Sequence, residues 1–175
     1  MSASLSNIPL GDPADPGVYF GPLVSERRRQ IVESYIELGR QDGAKVVVGG
    51  GRPAGLDRGF YIEPTVFRDV TSGIRIAREE VSGPVIVVTP YDGEEDVTDI
   101  ANDSEYELGG GVFSPDKEHA TDVARRIVTG TVGVNTASFP VEAPFGGVKQ
   151  SGTGRELGPT SLGAYREPKA IFRSA

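Results

Sequence analysis

The chain has 175 residues, with 18 lysines and arginines against 25 aspartates and glutamates, a formal net charge of -7, one histidine and no cysteine. Excess negative charge argues against a nucleic-acid or anionic-membrane surface, and no apolar run approaches the ~20 residues that a bilayer-spanning helix requires. Lack of cysteine excludes disulfides, thiolate metal sites and a cysteine nucleophile supplied by these residues, and the scattered carboxylates lack the spacing of a zinc or calcium site, so no metal is expected.

The opening stretch MSASLSNIPL has neither the basic start nor the apolar run of a secretion signal, so the expected location is the cytoplasm. Residues 1–22, rich in proline, glycine and aspartate, read as an extended lead-in without regular structure. Ser25 can cap a helix running to about Gly39, with Ile31, Tyr35 and Leu38 on one face, and Gly43 ends it. AKVVVGGG gives a β-branched strand stopped by glycines. FYIEPTVF gives a second extended segment, in which Pro64 points to an edge or a connector.

After the short charged stretch RIAREE, the continuous apolar run PVIVVTPY predicts a strand buried on both faces. Asp92 and Glu95 form a capping-box pattern for the helix EEDVTDIAND, with Val97, Ile100 and Ala101 turned inward. LGGGVFS reads as another buried strand. Ser114 and Pro115 then open a helix over 115–128, where Ala120, Val123, Ala124 and Ile127 follow helical spacing, and TVGVN is a further strand. His119, flanked by Lys117 and Glu118, reads as a solvated side chain on that helix. Strands alternating with helices predict an α/β fold, an open and mostly parallel twisted sheet flanked by helices over 23–167. Residues 168–175 form an extended C-terminal strand of the kind that mediates oligomerisation, with Ala170 to Phe172 either an oligomer contact or a frayed tail.

Just past TVGVN lies PFGGVKQSGTGRELG, residues 144–158, with five glycines. In a sheet of this kind the working site lies beyond the carboxyl ends of the strands, so the loop is placed where function is expected. A dinucleotide fingerprint beginning at Gly152 would need a third glycine where Leu157 stands, which weighs against phosphate binding and leaves a glycine-rich surface turn as the alternative.

Six stretches in order, GDPADPGVYFGPLVS, DRGFYIEPTVF, IAREEVSGPV, IANDSEYELGGGVFS, GTVGVN and APFGGVKQSGTGRELG, resemble the C-terminal half of the catalytic domain of NAD(P)-dependent aldehyde dehydrogenases, over about residues 10–172. That resemblance implies oxidation of an aldehyde to a carboxylic acid with NAD or NADP. It matches Glu80 to the family glutamate that hydrogen-bonds the nicotinamide ribose, although Glu80 could instead pair with Arg78. Ser82 departs from the family, which usually has phenylalanine against the nicotinamide there, so an aromatic wall is removed. Phe145 and Phe139 match walls of the aldehyde tunnel, or are plain packing residues. Glu156 matches a carboxylate that relays protons near the family's general base, or else forms a surface pair with Arg155.

The family chemistry needs a cysteine thiolate to attack the aldehyde, and these residues hold none. The expectation is therefore a C-terminal fragment, without the nucleophile, general base and cofactor domain, inactive alone and not binding the cofactor by itself. Its partners would be an aldehyde and either further copies of itself, as a homo-oligomer, or a chain carrying the missing half. The alternatives are a non-catalytic binding and oligomerisation module, or half of a split dehydrogenase.

Overall fold

The computed structural model of the chain describes residues 8–138 and 140–174. It divides into two compact units, residues 1–91 and 92–175. The fold class is α/β as the alternation of elements predicts, but its sheets are mixed as well as parallel.

In the first unit, residues 9–21 contain no helix or longer strand yet are fixed in place. A Leu10–Phe20 bridge closes the segment, and the Tyr61 hydroxyl donates to Gly11 O at 3.0 Å. Helix α1 (Glu26–Gln41) begins at Ser25, whose hydroxyl accepts from Arg28 N at 3.2 Å, which is the cap the sequence predicts. It stops before Gly43, whose φ of +91° suits a residue without Cβ. Strand β1 (Lys45–Val48) pairs antiparallel with β2 (Thr65–Arg68), and β2 pairs parallel with β3 (Val85–Val87). The short helix α2 (Arg75–Arg78) lies in the connection from β2 to β3.

Three expectations are corrected here. The buried face of α1 is Val32, Ile36 and Gly39, not Ile31, Tyr35 and Leu38. At Gly39 a Cβ would stand 2.9 Å from Ile76 Cδ1 and 3.1 Å from Phe67 Cζ, so the helix turns its smallest residue toward the largest core side chain. Second, β2 is the central strand of its sheet, not an edge. Pro64 sits one residue before it, where its missing N–H costs no ladder bond, and Thr65 N donates instead to Pro84 O at 2.8 Å. Third, β3 is not buried on both faces, since Ile86 is 52% exposed. The core of this unit gathers Val32, Ile36, Ala44, Ile62, Phe67, Val70, Ile76 and Val81.

The second unit contains α3 (Glu94–Asn102), β4 (Tyr106–Glu107), β5 (Gly109–Val112), α4 (Lys117–Arg126), β6 (Thr131–Val134), β7 (Val148–Lys149) and a 3-10 helix (Pro159–Tyr165). β5 and β6 are parallel with α4 packed on both, which is the strand-helix-strand unit that the sequence predicts. β4 and β7 form an antiparallel pair that the sequence did not announce. The Asp92–Glu95 capping box does not form. Gly93 is the N-cap, and Asp92 N donates to the Asp96 carboxylate at 3.0 Å, one turn further along. Thr98 is the buried residue of α3, while Val97 and Ile100 are half-buried and Ala101 is exposed.

Helix α4 starts two residues later than expected, because the Asp116 carboxylate caps it by accepting from His119 N at 3.0 Å. Ala120 and Val123 are its buried residues. The strand LGGGVFS is exposed over Gly109 to Gly111, having no side chains there to bury. His119 is exposed as expected, with Nε2 3.4 Å from Glu94 Oε2. Residues 167–174 are exposed and form no strand.

Truncating Phe67 to alanine should destabilise the first unit by about 3–5 kcal/mol, because the fully buried ring leaves a cavity against Ile76 and Gly39. Denaturant titration checks this against Ile86→Ala, where the half-exposed side chain should cost well under half as much.

Candidate functional site

The loop at 144–158 follows β6 and contains β7, which pairs with β4 in a separate two-stranded sheet. Asn135 begins this departure: its side chain accepts from Ser114 N at 2.8 Å and donates to Ser114 O at 2.7 Å, locking the end of β6 beside the end of β5. Phe145 and Glu156 then face each other as an isolated antiparallel bridge, with N–H to O distances of 2.8 and 2.7 Å in the two directions. Phe145 is half-buried and Glu156 exposed.

Together they line a cavity of about 640 Å³ with Leu108, Gly147, Leu157 and Tyr165. Its lining mixes aliphatic, aromatic and glycine residues with the polar residues Arg155, Glu156, Ser151 and Ser161. A space of this size can take a small organic molecule.

Backbone packs directly on backbone beneath it. A Cβ at Gly130 would lie 1.5 Å from Gly146 O, and one at Gly146 would lie 2.1 Å from Gly154 O. The glycines therefore answer the spacing question without a phosphate: they let the loop, which leaves from the carboxyl end of β6, double back against the residue before the strand's start. Arg155 does not pair with Glu156. Its Nη1 donates to Gly147 O at 2.7 Å, Gly154 O at 2.8 Å and Thr153 O at 3.3 Å, bracing the loop from inside.

In the first unit, Glu80 lies exposed two residues after α2 and enters no ion pair among the described residues. Arg78 donates to Ser72 O at 3.3 Å. The neighbouring Glu79 is the carboxylate that is held, taking two hydrogen bonds from Arg75 at 2.7 and 2.9 Å and one from the Tyr35 hydroxyl. Arg75 also stacks over the Tyr35 ring, 5.9 Å from its centroid. Those donors, Arg75 first and Tyr35 second, hold the Glu79 carboxyl down from 4.5 to about 2, and the same bond raises the Tyr35 hydroxyl. Ser82, two residues beyond Glu80, is exposed with φ of +51°, a left-handed conformation that costs a serine strain. Phe139 lies outside the described residues.

Sequence reasoning missed the groups that hold these segments. Glu107 and Lys149 form an ion pair at 2.9 Å with the Glu107 side chain only 5% exposed, and the Tyr35–Glu79–Arg75 cluster joins α1 to α2. A lysine amid glycines was the one visible signal for the first. The second brings together residues 44 positions apart and left no sequence signal.

Parallel strand-helix-strand geometry followed by a glycine-rich loop defines the class as a segment of an α/β protein. The aldehyde dehydrogenase family model matches residues 1–171, and the chain belongs to that family. It is 50% identical over 172 residues to geranial dehydrogenase of Castellaniella defragrans, covering 98% of this chain and 36% of that protein. With betaine aldehyde dehydrogenase of Mesorhizobium japonicum the identity is 47%, covering 94% and 34%.

Among solved structures, the aldehyde dehydrogenase of Mycobacterium tuberculosis complexed with NAD+ superposes with a TM-score of 0.91 at 48% identity, covering 94% of this chain and 34% of that one. A cysteine-to-alanine mutant of aldehyde dehydrogenase C from Pseudomonas syringae, complexed with NAD+ and octanal, gives 0.93 at 44%, covering 97% and 35%. The chain thus spans about a third of the length of the relatives it matches. The family is one of NAD(P)-linked oxidoreductases. Among the described residues no helix is long and apolar enough to cross a membrane.

Glu79 generates a pH prediction. Because its folded value lies below its unfolded one, its contribution to stability is complete above pH 4.5 and is lost as pH falls toward 2. Melting temperature followed between pH 6 and 2 should therefore drop less steeply in Glu79→Gln than in the wild type, whereas parallel curves would show that the cluster does not stabilise the fold.

Proposed function

We propose that these residues are the C-terminal half of an aldehyde dehydrogenase catalytic domain, supplying walls and polar groups to a site that oxidises an aldehyde with NAD or NADP. The observation that carries the reading is the bridge that sets Phe145 and Glu156 side by side in the lining of the cavity. Phe145 forms an apolar wall that keeps water from competing at the reacting carbon. Glu156, exposed at the rim, takes and passes a proton as the acid is released. The attacking thiolate comes from residues outside these 175, which contain no cysteine.

The residues present fit the nicotinamide cofactor at one point. Glu80 is exposed and unpaired among the described residues, so its carboxylate can accept from two vicinal ribose hydroxyls. Bound there, the cofactor supplies the hydride acceptor of the reaction. Ser82 leaves the adjoining surface without an aromatic ring. One charge-assisted contact, worth ~1.5–3 kcal/mol before association costs, is too little to hold a dinucleotide.

A second reading, an assembly module, rests on the C-terminal residues Ile171 and Phe172, 79% and 92% exposed. Apolar side chains so placed favour pairing with another copy of the chain or with a full-length relative. Light scattering distinguishes it, since a monomer at high concentration counts against assembly.

Titration calorimetry of the 175-residue chain with millimolar NAD should show no saturable heat, and NAD with an aldehyde should give no turnover. Saturable binding abolished by Glu80→Gln would mean that the chain holds a cofactor site by itself. In a complete dehydrogenase containing this segment, Glu156→Gln should lower kcat at least about tenfold. An unchanged rate would remove Glu156 from the proton path.

A further inference from the structure

The glycine-rich loop has few side chains with which to hold its course, and its fixed points are polar. Lys149, in β7, has φ of +50°, a conformation that L residues seldom adopt. Its ammonium has three donors, and three acceptors lie 2.9 Å away: Asn102 O, Ser104 O and Glu107 Oε1. Asn102 ends α3, so two of these contacts place a cation at the negative end of a helix.

The third contact meets a buried carboxylate. With its side chain 5% exposed, Glu107 requires a cation, because an unpaired charge at that depth is strongly unfavourable. Ser151 closes the other side, its hydroxyl accepting from Glu107 N at 2.9 Å. Lys149 and Ser151 flank Gln150, whose N–H donates to Glu105 O at 2.9 Å. The middle of the loop is thus tied to residues 102–107, while Phe145 and Glu156 stand on the arms to either side.

We propose that Lys149 is a positioning residue: by pinning the loop to buried Glu107 and to the carbonyls at the end of α3, it sets where Phe145 and Glu156 meet the cavity. The proposal rests on reading that cavity as the aldehyde end of the site, but the positioning is measurable without an aldehyde. A lysine chosen for charge and reach also accounts for the strained backbone at a position where glycine would relieve it.

Native-state amide hydrogen exchange on the 175-residue chain tests it. In Lys149→Met, the Phe145 and Glu156 amides, which bond to each other across the bridge, should exchange at least about tenfold faster while the β5 and β6 amides change less than about threefold. Lys149→Arg, which keeps the charge, should recover most of the protection. Unchanged exchange at Phe145 and Glu156, a uniform rise that includes β5 and β6, or equal loss in the Arg and Met variants would each overturn the proposal.

If Lys149→Met does not fold, Glu107→Gln decides, since it keeps the carbonyl contacts and should raise exchange at Glu156 by about threefold. No change there would overturn it. Because Glu156→Gln leaves these backbone bonds intact, normal protection together with an unchanged rate in a complete dehydrogenase containing this segment would remove Glu156 from the proton path and leave the pin standing.

Discussion

The second unit depends on one close approach, that of the loop backbone to the start of β6. Gly130 and Gly146 are so near that a methyl group on Gly130 would overlap the Gly146 carbonyl at 1.5 Å. Main chain that packs on main chain cannot be held by the hydrophobic effect, since it brings little apolar surface. It must be held by hydrogen bonds and charges with fixed directions. The Phe145–Glu156 bridge, the Arg155 guanidinium inside the loop and the Glu107–Lys149 pair are the bonds that meet this requirement.

The two units solve their stability in different ways. The first has a continuous apolar core around Phe67, Ile36 and Val32, so its helix and strands are placed by packing. In the second, Ala120 and Val123 are the buried hydrophobic residues among those described, and Thr98 and Glu107 are buried as well. Side-chain hydrogen bonds do more of the work there. Asn102 donates to Arg126 O and accepts from Val128 N, and Arg126 reaches both Glu94 and Glu95, which joins the ends of α3 and α4. A segment organised by directional contacts suits a site where a carboxylate and an aromatic ring must hold set positions.

The candidate cofactor contact shows a similar division of labour between neighbours. Glu79 is fastened by Arg75 and Tyr35 and fixes the chain, while Glu80 is left exposed. Adjacent carboxylates that look alike in the sequence thus differ in their partners, Arg75 and Tyr35 both bonding to Glu79. Ser82 adds a left-handed turn directly after them, so the chain enters β3 with little freedom at that point.

Much of this was legible from the residues. Ser25 capped its helix because a hydroxyl beside free N–H groups acts locally, and the β5–α4–β6 unit followed from hydrophobic spacing within single elements. The resemblance likewise gave the family, since ordered motifs are a property of the sequence. The register of α1 was not legible, because Gly39 is buried only in relation to Phe67 and Ile76. Nor was the exposure of Ile86, which depends on what lies across β3 rather than on the valines beside it. The sequence by itself determined the local elements, their caps and the family, all of which rest on contacts within a few residues or on motif order. Tertiary structure decided that Glu107 is buried, that Lys149 neutralises it, and that Phe145 faces Glu156. Those facts join residues far apart in the chain, and no periodicity records them.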